Sequence, residues 1–201
     1  MKLVFRVLYL FAGPKRRADF SGVLQAMLRE WALVDPWWAG VEVQVEEVDI
    51  LRDKERGNLL HAASQEKWLS EIDNGDFDLL ITTPPCGGFS RLLFAGRPGP
   101  KALRNREHPR GFPWLRGNRK AKVDEQNSFF DFSIAALRSA IKGRHGGGRR
   151  RCRVLLEHPE DYGSAYLGEP ASIWQLDASR DLLTLGGREW VHGDHRGLQA
   201  M

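Results

Sequence analysis

The chain has 201 residues, 42% hydrophobic and 28% charged, a composition typical of one globular α/β or α+β domain. No apolar run approaches the ~20 residues that a membrane-spanning helix requires. Two cysteines give neither a disulfide framework nor a four-cysteine zinc site, and no histidines pair with them at metal-ligand spacing. We therefore expect no membrane span, no metal and a reducing compartment.

The net charge of +4 conceals an uneven distribution of charged residues. Residues 87–123 hold ten Lys or Arg and one acid, Glu107, and residues 142–153 hold six Lys or Arg and no acid. The rest of the chain carries 14 basic and 25 acidic residues. Two interpretations are open: these stretches bind a polyanion such as nucleic acid, or they are solvated, mobile loops.

Predicted strands and helices alternate along the first half of the chain. A β-branched and aromatic run predicts a strand at 2–11, and apolar residues at helical spacing predict a helix at 18–33. Alternation of apolar residues with mostly acidic ones predicts a second strand at 41–50. A Ser cap predicts a helix at 64–72, and a mostly apolar run predicts a strand at 77–83.

A Pro/Gly/Arg-rich loop is predicted at 87–122, which we call the basic segment. An amphipathic helix at 123–143 follows it, then a buried strand at 151–159, a helix at 171–183 and a last strand at 188–194. Strands that alternate with helices predict an α/β fold with a doubly wound, mostly parallel sheet. Ligands bind such sheets at the carboxyl ends of the strands.

The unusual residues of this sequence fall at those predicted strand ends. They are "FAGP" at 11–14, "VDI" at 48–50, "PPCGGFS" at 84–90 and "EHPED" at 157–161. Their coincidence at one edge of the sheet predicts an enzyme or the descendant of one.

Two of these strand ends suggest contacts to a cofactor. Gly13 allows a ligand to approach the backbone closely, although a tight turn is the alternative. Lys15, Arg16 and Arg17 follow it and face either an anion or water. Asp49, with Glu47 as the alternative, stands where doubly wound folds bind a ribose hydroxyl, unless it is simply a solvated strand end.

Cys86 follows two prolines, 84–85, that cannot continue a β-ladder, so the chain leaves the sheet and presents the thiol at its edge. The glycines at 87–88 leave room above it, and a helix that begins near Ser90 favours the thiolate. We interpret Cys86 as chemically active and Cys152, which opens a strand among arginines, as structural.

Glu157 ends an apolar strand at the same edge. In a partly closed apolar site this carboxyl acts as an acid or a hydrogen-bond donor, and a helix-capping acidic cluster is the alternative. Within the basic segment, Trp114 either stacks on a nucleic-acid base or packs within the loop.

These pieces, in this order over about residues 3–159, resemble the C5-cytosine methyltransferases. "FAG" (11–13) is similar to the start of that family's first cofactor motif, and "PPCGGFS" (84–90) to its Pro-Cys nucleophile motif. "LLEHP" (155–159) is similar to its Glu-Asn-Val strand end. Arg196 in "GDHRG" is compared with the first arginine of its Gln-x-Arg-x-Arg motif. "GPKRR" and "EHP" depart from the family pattern, and the match fades beyond residue 159.

The resemblance implies a Rossmann-like, class I methyltransferase fold with S-adenosyl-L-methionine as cofactor. It implies that Cys86 attacks C6 of a cytosine while Glu157 bonds the N3 side of the ring, and that Arg196 belongs to the catalytic set. The implied cofactor-binding residues are Phe11, Ala12, Gly13, Asp49, Asn58 and Pro84.

The implied partner is DNA rather than RNA, held by the basic segment and by 142–153. Two alternative functions stay open: an RNA cytosine methyltransferase, and a nucleic-acid-binding relative that has lost catalysis. We expect a single domain over 1–201 without a target-recognition domain. Because Arg6 interrupts the apolar N-terminal run, we expect no signal peptide and an intracellular protein, cytoplasmic or nuclear.

Overall fold

The computed structural model describes residues 3–142, 152–161 and 163–185. Its strands and helices, in chain order, are β1 (Leu3–Leu10), α1 (Phe20–Val34), β2 (Val41–Val48), α2 (Ala62–Asp73), β3 (Leu79–Thr82), α3 (Gly117–Lys142), β4 (Arg153–Leu156) and α4 (Asp177–Leu185). Short 3-10 turns lie at Pro36–Gly40, Gly87–Phe89, Arg91–Phe94 and Ile173–Gln175.

The four described strands form one all-parallel sheet in the order β2-β1-β3-β4. β1 lies in the interior because its run of Val, Leu and Tyr is apolar on both faces, whereas the alternating β2 forms an edge. The predicted α/β fold with a parallel sheet and flanking helices is confirmed at this level. The strand predicted at 188–194 lies outside the described residues.

Both faces of the sheet are buried. On one face, Leu28 of α1 packs with Val7, Val43 and Ile81. On the other, Leu8, Leu10 and Leu80 have no exposed surface. Burial of both faces removes the apolar side chains of the inner strands from water, which is the main stabilising term for such a sheet.

The structure differs from the sequence prediction in two helices. α3 begins at Gly117 rather than at 123, because its first turns contain the helix formers Arg, Lys and Ala but lack an apolar face that periodicity would detect. The helix predicted at 171–183 is a 3-10 turn followed by α4, because Ser172 and Gln175 form a capping box that closes the first turn separately.

The described chain forms two compact units. The first runs to Pro84 and includes Ala135–Glu157, and it holds the sheet. The second comprises Pro85–Ile134 and the chain from His158 onward, and it holds the basic segment and α4.

Candidate functional site

The carboxyl ends of the four strands meet at one edge of the sheet. Their last residues pair with one another across it in the order Val48, Leu10, Thr82 and Leu156. The next residues along three of the strands are Phe11, Asp49 and Glu157. The parallel register therefore brings three sequence-predicted site residues to the same edge.

The turn after β1 has an unusual backbone. Phe11 has a φ of 62° and Gly13 a φ of 73°, both in the left-handed region. The conformation is held on both sides, since Ala12 N–H donates to Val48 O at 3.2 Å and Thr83 Oγ1 donates to Phe11 O at 3.1 Å. A non-glycine residue in this region is strained by about 1–3 kcal/mol, a cost that proteins concentrate at functional sites.

Asp49 joins the ends of β1 and β2. Its Oδ2 accepts from Gly13 N–H at 2.9 Å and its Oδ1 accepts from Leu51 N–H at 2.8 Å. Gly57 lies so close to the backbone of Asp49 that a Cβ on Gly57 would lie 2.1 Å from Asp49 O. Each carboxylate oxygen has two lone pairs, so the oxygens of Asp49 retain capacity for a further donor.

Arg52 is a residue of this region that the sequence did not single out. Its Nε donates to Gly13 O at 2.7 Å, and its Nη1 lies 2.6 Å from Glu47 Oε2 and 3.7 Å from Asp19 Oδ2. The side chain of Glu47 is only 8% exposed and also accepts from Ser21 N–H. Glu47, the alternative ribose ligand, is thus committed to this internal network.

The N-terminus of α1 does not follow Gly13 directly. The helix begins at Phe20, and Asp19 caps it by accepting from Gly22 N–H at 3.0 Å. The start of this helix, predicted at residue 18, is therefore confirmed to within two residues. A capping carboxylate at α1 satisfies donors that an anion would otherwise use.

Two further residues predicted to bind the cofactor are Asn58, which has local hydrogen bonds, and Pro84, which is buried. Asn58 is half-buried, and its side chain contacts His61 Nε2 at 3.1 Å and accepts from Leu60 N–H. Pro84 is buried at the end of the first unit. These contacts of Asn58 are local, with residues two and three positions further along the chain, and Pro84 has little exposed surface.

Cys86 heads the 3-10 turn Gly87–Phe89 in the second unit. Phe89 N–H donates to Cys86 O at 2.8 Å and closes the turn. A Cβ placed on Gly87 would meet no atom within 4 Å, so the space beside the turn is open. At Gly88, in contrast, a Cβ would lie 2.1 Å from Gln126 Oε1, so a side chain there would displace the end of Gln126. Cys86 itself is half-buried.

A buried cation lies beneath this turn, which sequence reasoning missed. Arg104 has no exposed surface, and its Cζ lies 4.1 Å from the centroid of the Phe89 ring. It donates to Pro109 O, Asn127 Oδ1, Val123 O and Gln126 Oε1, all neutral acceptors. Burial, with Arg110 nearby, lowers the pKa of Arg104 to about 10. An arginine inside a basic run gives no sequence signal that it is buried.

His158 meets the edge of the same Phe89 ring at 5.0 Å and 82°. Its Nδ1 is buried and has no hydrogen-bond partner among the described residues. Burial lowers the pKa of His158 to about 4, and the charge of Arg104 acts in the same direction. His158 is therefore neutral at pH 7.

Glu157 continues β4 at the edge of the sheet, and its N–H donates to Thr82 O at 3.0 Å. Its side chain is exposed, so the described residues do not form the apolar, partly closed surroundings expected for this carboxyl. The physical reason is that β4 is an edge strand in the described sheet, with Leu155 47% exposed. Arg196 lies outside the described residues.

Cys152 differs from Cys86 in its surroundings. It is buried, and its Sγ lies 3.4 Å from Arg153 O. Burial raises its pKa to about 12, with the charge of Asp78 acting in the same direction. A thiol held protonated in this way is not a nucleophile.

In the residues that the structure describes, no group of three or more His, Cys, Asp and Glu side chains could hold a metal ion. Nor does any helix in those residues have the length and apolar character needed to cross a membrane. Residues 143–151, most of the second basic stretch, lie outside the described part.

Comparisons of the chain with protein-family models, curated proteins and solved structures find no match.

Proposed function

We propose that the chain transfers a methyl group from S-adenosyl-L-methionine to C5 of a cytosine in DNA, through a covalent adduct on Cys86. In this proposal the fold is a Rossmann-like methyltransferase fold. The observation that carries it is the edge of the sheet. There the register brings Phe11, Asp49 and Glu157 to strand ends at one edge, and the Pro-Pro-Cys segment follows β3 along the chain.

The geometry of the Cys86 turn supports a nucleophile. The buried Pro84 ends the strand segment, and the half-buried Cys86 follows where no ladder continues. The open space at Gly87 leaves room for a planar ring to approach the thiol. C5 of cytosine is a poor nucleophile, and it needs covalent activation to take a methyl group.

The chemistry assigned to the residues is as follows. The Cys86 thiolate bonds to C6, and the electrons of the C5–C6 double bond then make C5 nucleophilic. The carboxyl group of Glu157, in its protonated form, gives its proton to N3 and so neutralises the negative charge that addition of the thiolate places there. After methylation, loss of the C5 proton expels the thiolate and restores the double bond. The target base leaves the duplex to reach the thiol.

The residues present fit the cofactor in part. Asp49 retains lone pairs for the ribose hydroxyls, and the left-handed Gly13 allows close approach. Phe11 and Ala12 would line the cofactor, and Pro84 would pack near its adenine. The cofactor supplies the methyl group.

Covalent trapping tests the proposal. With S-adenosyl-L-methionine and duplex DNA containing 5-fluorocytosine, which lacks the C5 proton, we expect an adduct that survives denaturing electrophoresis. Cys86→Ser should abolish the adduct. Cys152→Ser is the matched control and should retain it, because Cys152 is buried and protonated. Absence of an adduct with the wild-type chain on every cytosine context would refute covalent methyl transfer.

A specific observation favours a second candidate, a nucleic-acid-binding relative without catalysis. Arg52, Glu47 and Asp19 form an internal network over Gly13, and Asp19 caps α1. These contacts satisfy groups that a cofactor would otherwise use. Calorimetry distinguishes the two functions: micromolar binding of S-adenosyl-L-methionine argues for the enzyme, and DNA binding without cofactor binding argues for the second candidate.

A further inference from the structure

An exposed aromatic stack stands in the basic segment. The rings of Phe112 and Trp114 are parallel within 8°, with centroids 4.7 Å apart. His108 meets both rings edge-on, at 6.0 Å from Phe112 and 5.8 Å from Trp114. These nearly equal distances place His108 beside the stack, because a ring on the outer face of Trp114 would lie much farther from Phe112.

The outer face of Trp114 is therefore uncovered by this cluster. Trp114 is 64% exposed, a large exposure for a side chain that costs free energy to hydrate. Its other face rests on Phe112, which fixes the orientation of the indole. An indole held on one side and open on the other is the arrangement that nucleic-acid-binding proteins use to stack a base.

The loop that carries the stack is held by hydrogen bonds. Phe112 N–H donates to Leu103 O at 3.0 Å, and Leu115 N–H donates to Phe112 O at 3.2 Å. Arg116 Nη1 donates to Pro113 O at 3.0 Å and to Leu115 O at 2.8 Å. Leu115 is buried, which anchors the loop beside Trp114. A preorganised ring loses little conformational entropy on binding.

Cations without carboxylate partners accompany the stack in the basic segment. Among the residues described, five exposed side chains there have no carboxylate oxygen within 4 Å: Arg97, Lys101, Arg116, Arg119 and Lys122. The first turn of α3 contains no acid, so the partial positive charge of its N-terminus adds to theirs. Such a distribution favours a chain of phosphates.

We propose that Trp114 is the stacking site for an unpaired base of single-stranded nucleic acid, whose phosphates are held by these five cations. An acidic protein segment would satisfy the cations but would leave the exposed indole face without a planar partner. The inference rests on the nucleic-acid partner of the proposed function and does not depend on methyl transfer.

Fluorescence anisotropy with a labelled oligothymidylate of about 12 nucleotides tests the proposal, and an abasic oligomer of the same length and charge is the comparison. We expect the oligothymidylate to bind more tightly than the abasic oligomer. Trp114→Ala should weaken binding of the oligothymidylate between about fivefold and about a hundredfold and should leave the abasic oligomer unaffected. Trp114→Phe, which keeps a ring, should retain most of the affinity. Trp37→Ala is the control, since Trp37 is also exposed, at 57%, but belongs to the first unit.

Three results would overturn the inference: no binding of the oligothymidylate, equal binding of both oligomers, or a Trp114→Ala affinity within about twofold of wild type. Tighter binding of polyglutamate than of the oligothymidylate would assign the surface to an acidic protein partner instead. Failure to trap Cys86 on 5-fluorocytosine, with Trp114-dependent binding intact, would remove methyl transfer and leave this inference standing.

Discussion

Phe89 is the residue around which the Cys86 turn is built. Its ring is buried and contacts both the guanidinium of Arg104 and the imidazole of His158. A second cation against the same ring would be costly at this depth, and burial is the main reason that His158 stays neutral. The side chains of Arg104 and His158, which are far apart in sequence, thus determine the surroundings of the Cys86 turn.

His158 should make the stability of the protein depend on pH. Its pKa is about 4 in the folded chain and 6.5 ordinarily, so between these values the unfolded chain binds more protons. The stability of the folded chain that goes with a neutral His158 is fully present above pH 6.5 and is lost as pH falls towards 4. Urea unfolding at pH values of about 7, 5.5 and 4.5 should show that the free energy of unfolding of the wild-type protein falls by on the order of 1–3 kcal/mol. His158→Phe should not show this decrease. Parallel pH profiles for the two proteins would contradict the assignment.

Arg104 should contribute more to stability than a surface arginine. Arg104→Ala would leave four acceptors without their donor and a void beside Phe89, and we expect a loss of roughly 3 kcal/mol or more in the free energy of unfolding. Arg180→Ala, which removes only an exposed ion pair with Asp177 at 3.7 Å, is the control and should cost under about 0.5 kcal/mol. Denaturant unfolding measures both, and equal losses would show that burial of Arg104 is unimportant.

At the scale of elements, a Ser cap predicted α2 at 64–72, although the helix begins at Ala62 with His61 as its N-cap. Hydrophobic periodicity was sufficient to predict β1 to β4 and α1 to within a few residues. It failed at the start of α3, where polar helix formers carry no apolar stripe. The Cys86 turn could be predicted because proline lacks an N–H and must end a ladder. The network around Arg52 could not, because contacts between residues far apart in sequence leave no local pattern.

The turn after β1 gives a prediction at this scale. Gly13 has a φ of 73°, which an alanine adopts only at a cost of about 1–2 kcal/mol, so Gly13→Ala should lower the melting temperature. Gly40→Ala is the matched control, because Gly40 ends a 3-10 turn without a positive φ and a Cβ there meets no atom within 4 Å. It should change stability by less than about 0.5 kcal/mol. Thermal unfolding followed by circular dichroism compares the two. A Gly13→Ala chain as stable as wild type would show that the turn can relax.

At the scale of the whole molecule, the distribution of charge along the chain matters more for attraction to a polyanion than the net charge does. A net charge of +4 would predict weak attraction to a polyanion, yet ten of the 30 Lys and Arg residues lie within 87–123 beside a single acid. Some of these cations are engaged locally, as in the pairs Arg110–Asp131 and Lys120–Asp124. Arg104 is buried and Arg106 is paired with Asp161. The five exposed cations without a carboxylate partner among the described residues are available to phosphates, while the acidic part of the chain repels phosphates.

The salt dependence of DNA binding measures how many of these cations contact phosphates. Each contact contributes about −0.9 to the slope of log Kobs against log salt on duplex DNA, so Lys122→Gln should reduce the slope by about one and weaken binding to all sequences alike. Lys54→Gln removes one exposed charge from the first unit and should leave the slope unchanged. If both substitutions change the slope equally, the protein binds DNA through its overall charge rather than through the basic segment. If only Lys122→Gln changes the slope, the cations of the basic segment are the ones that contact the DNA phosphates.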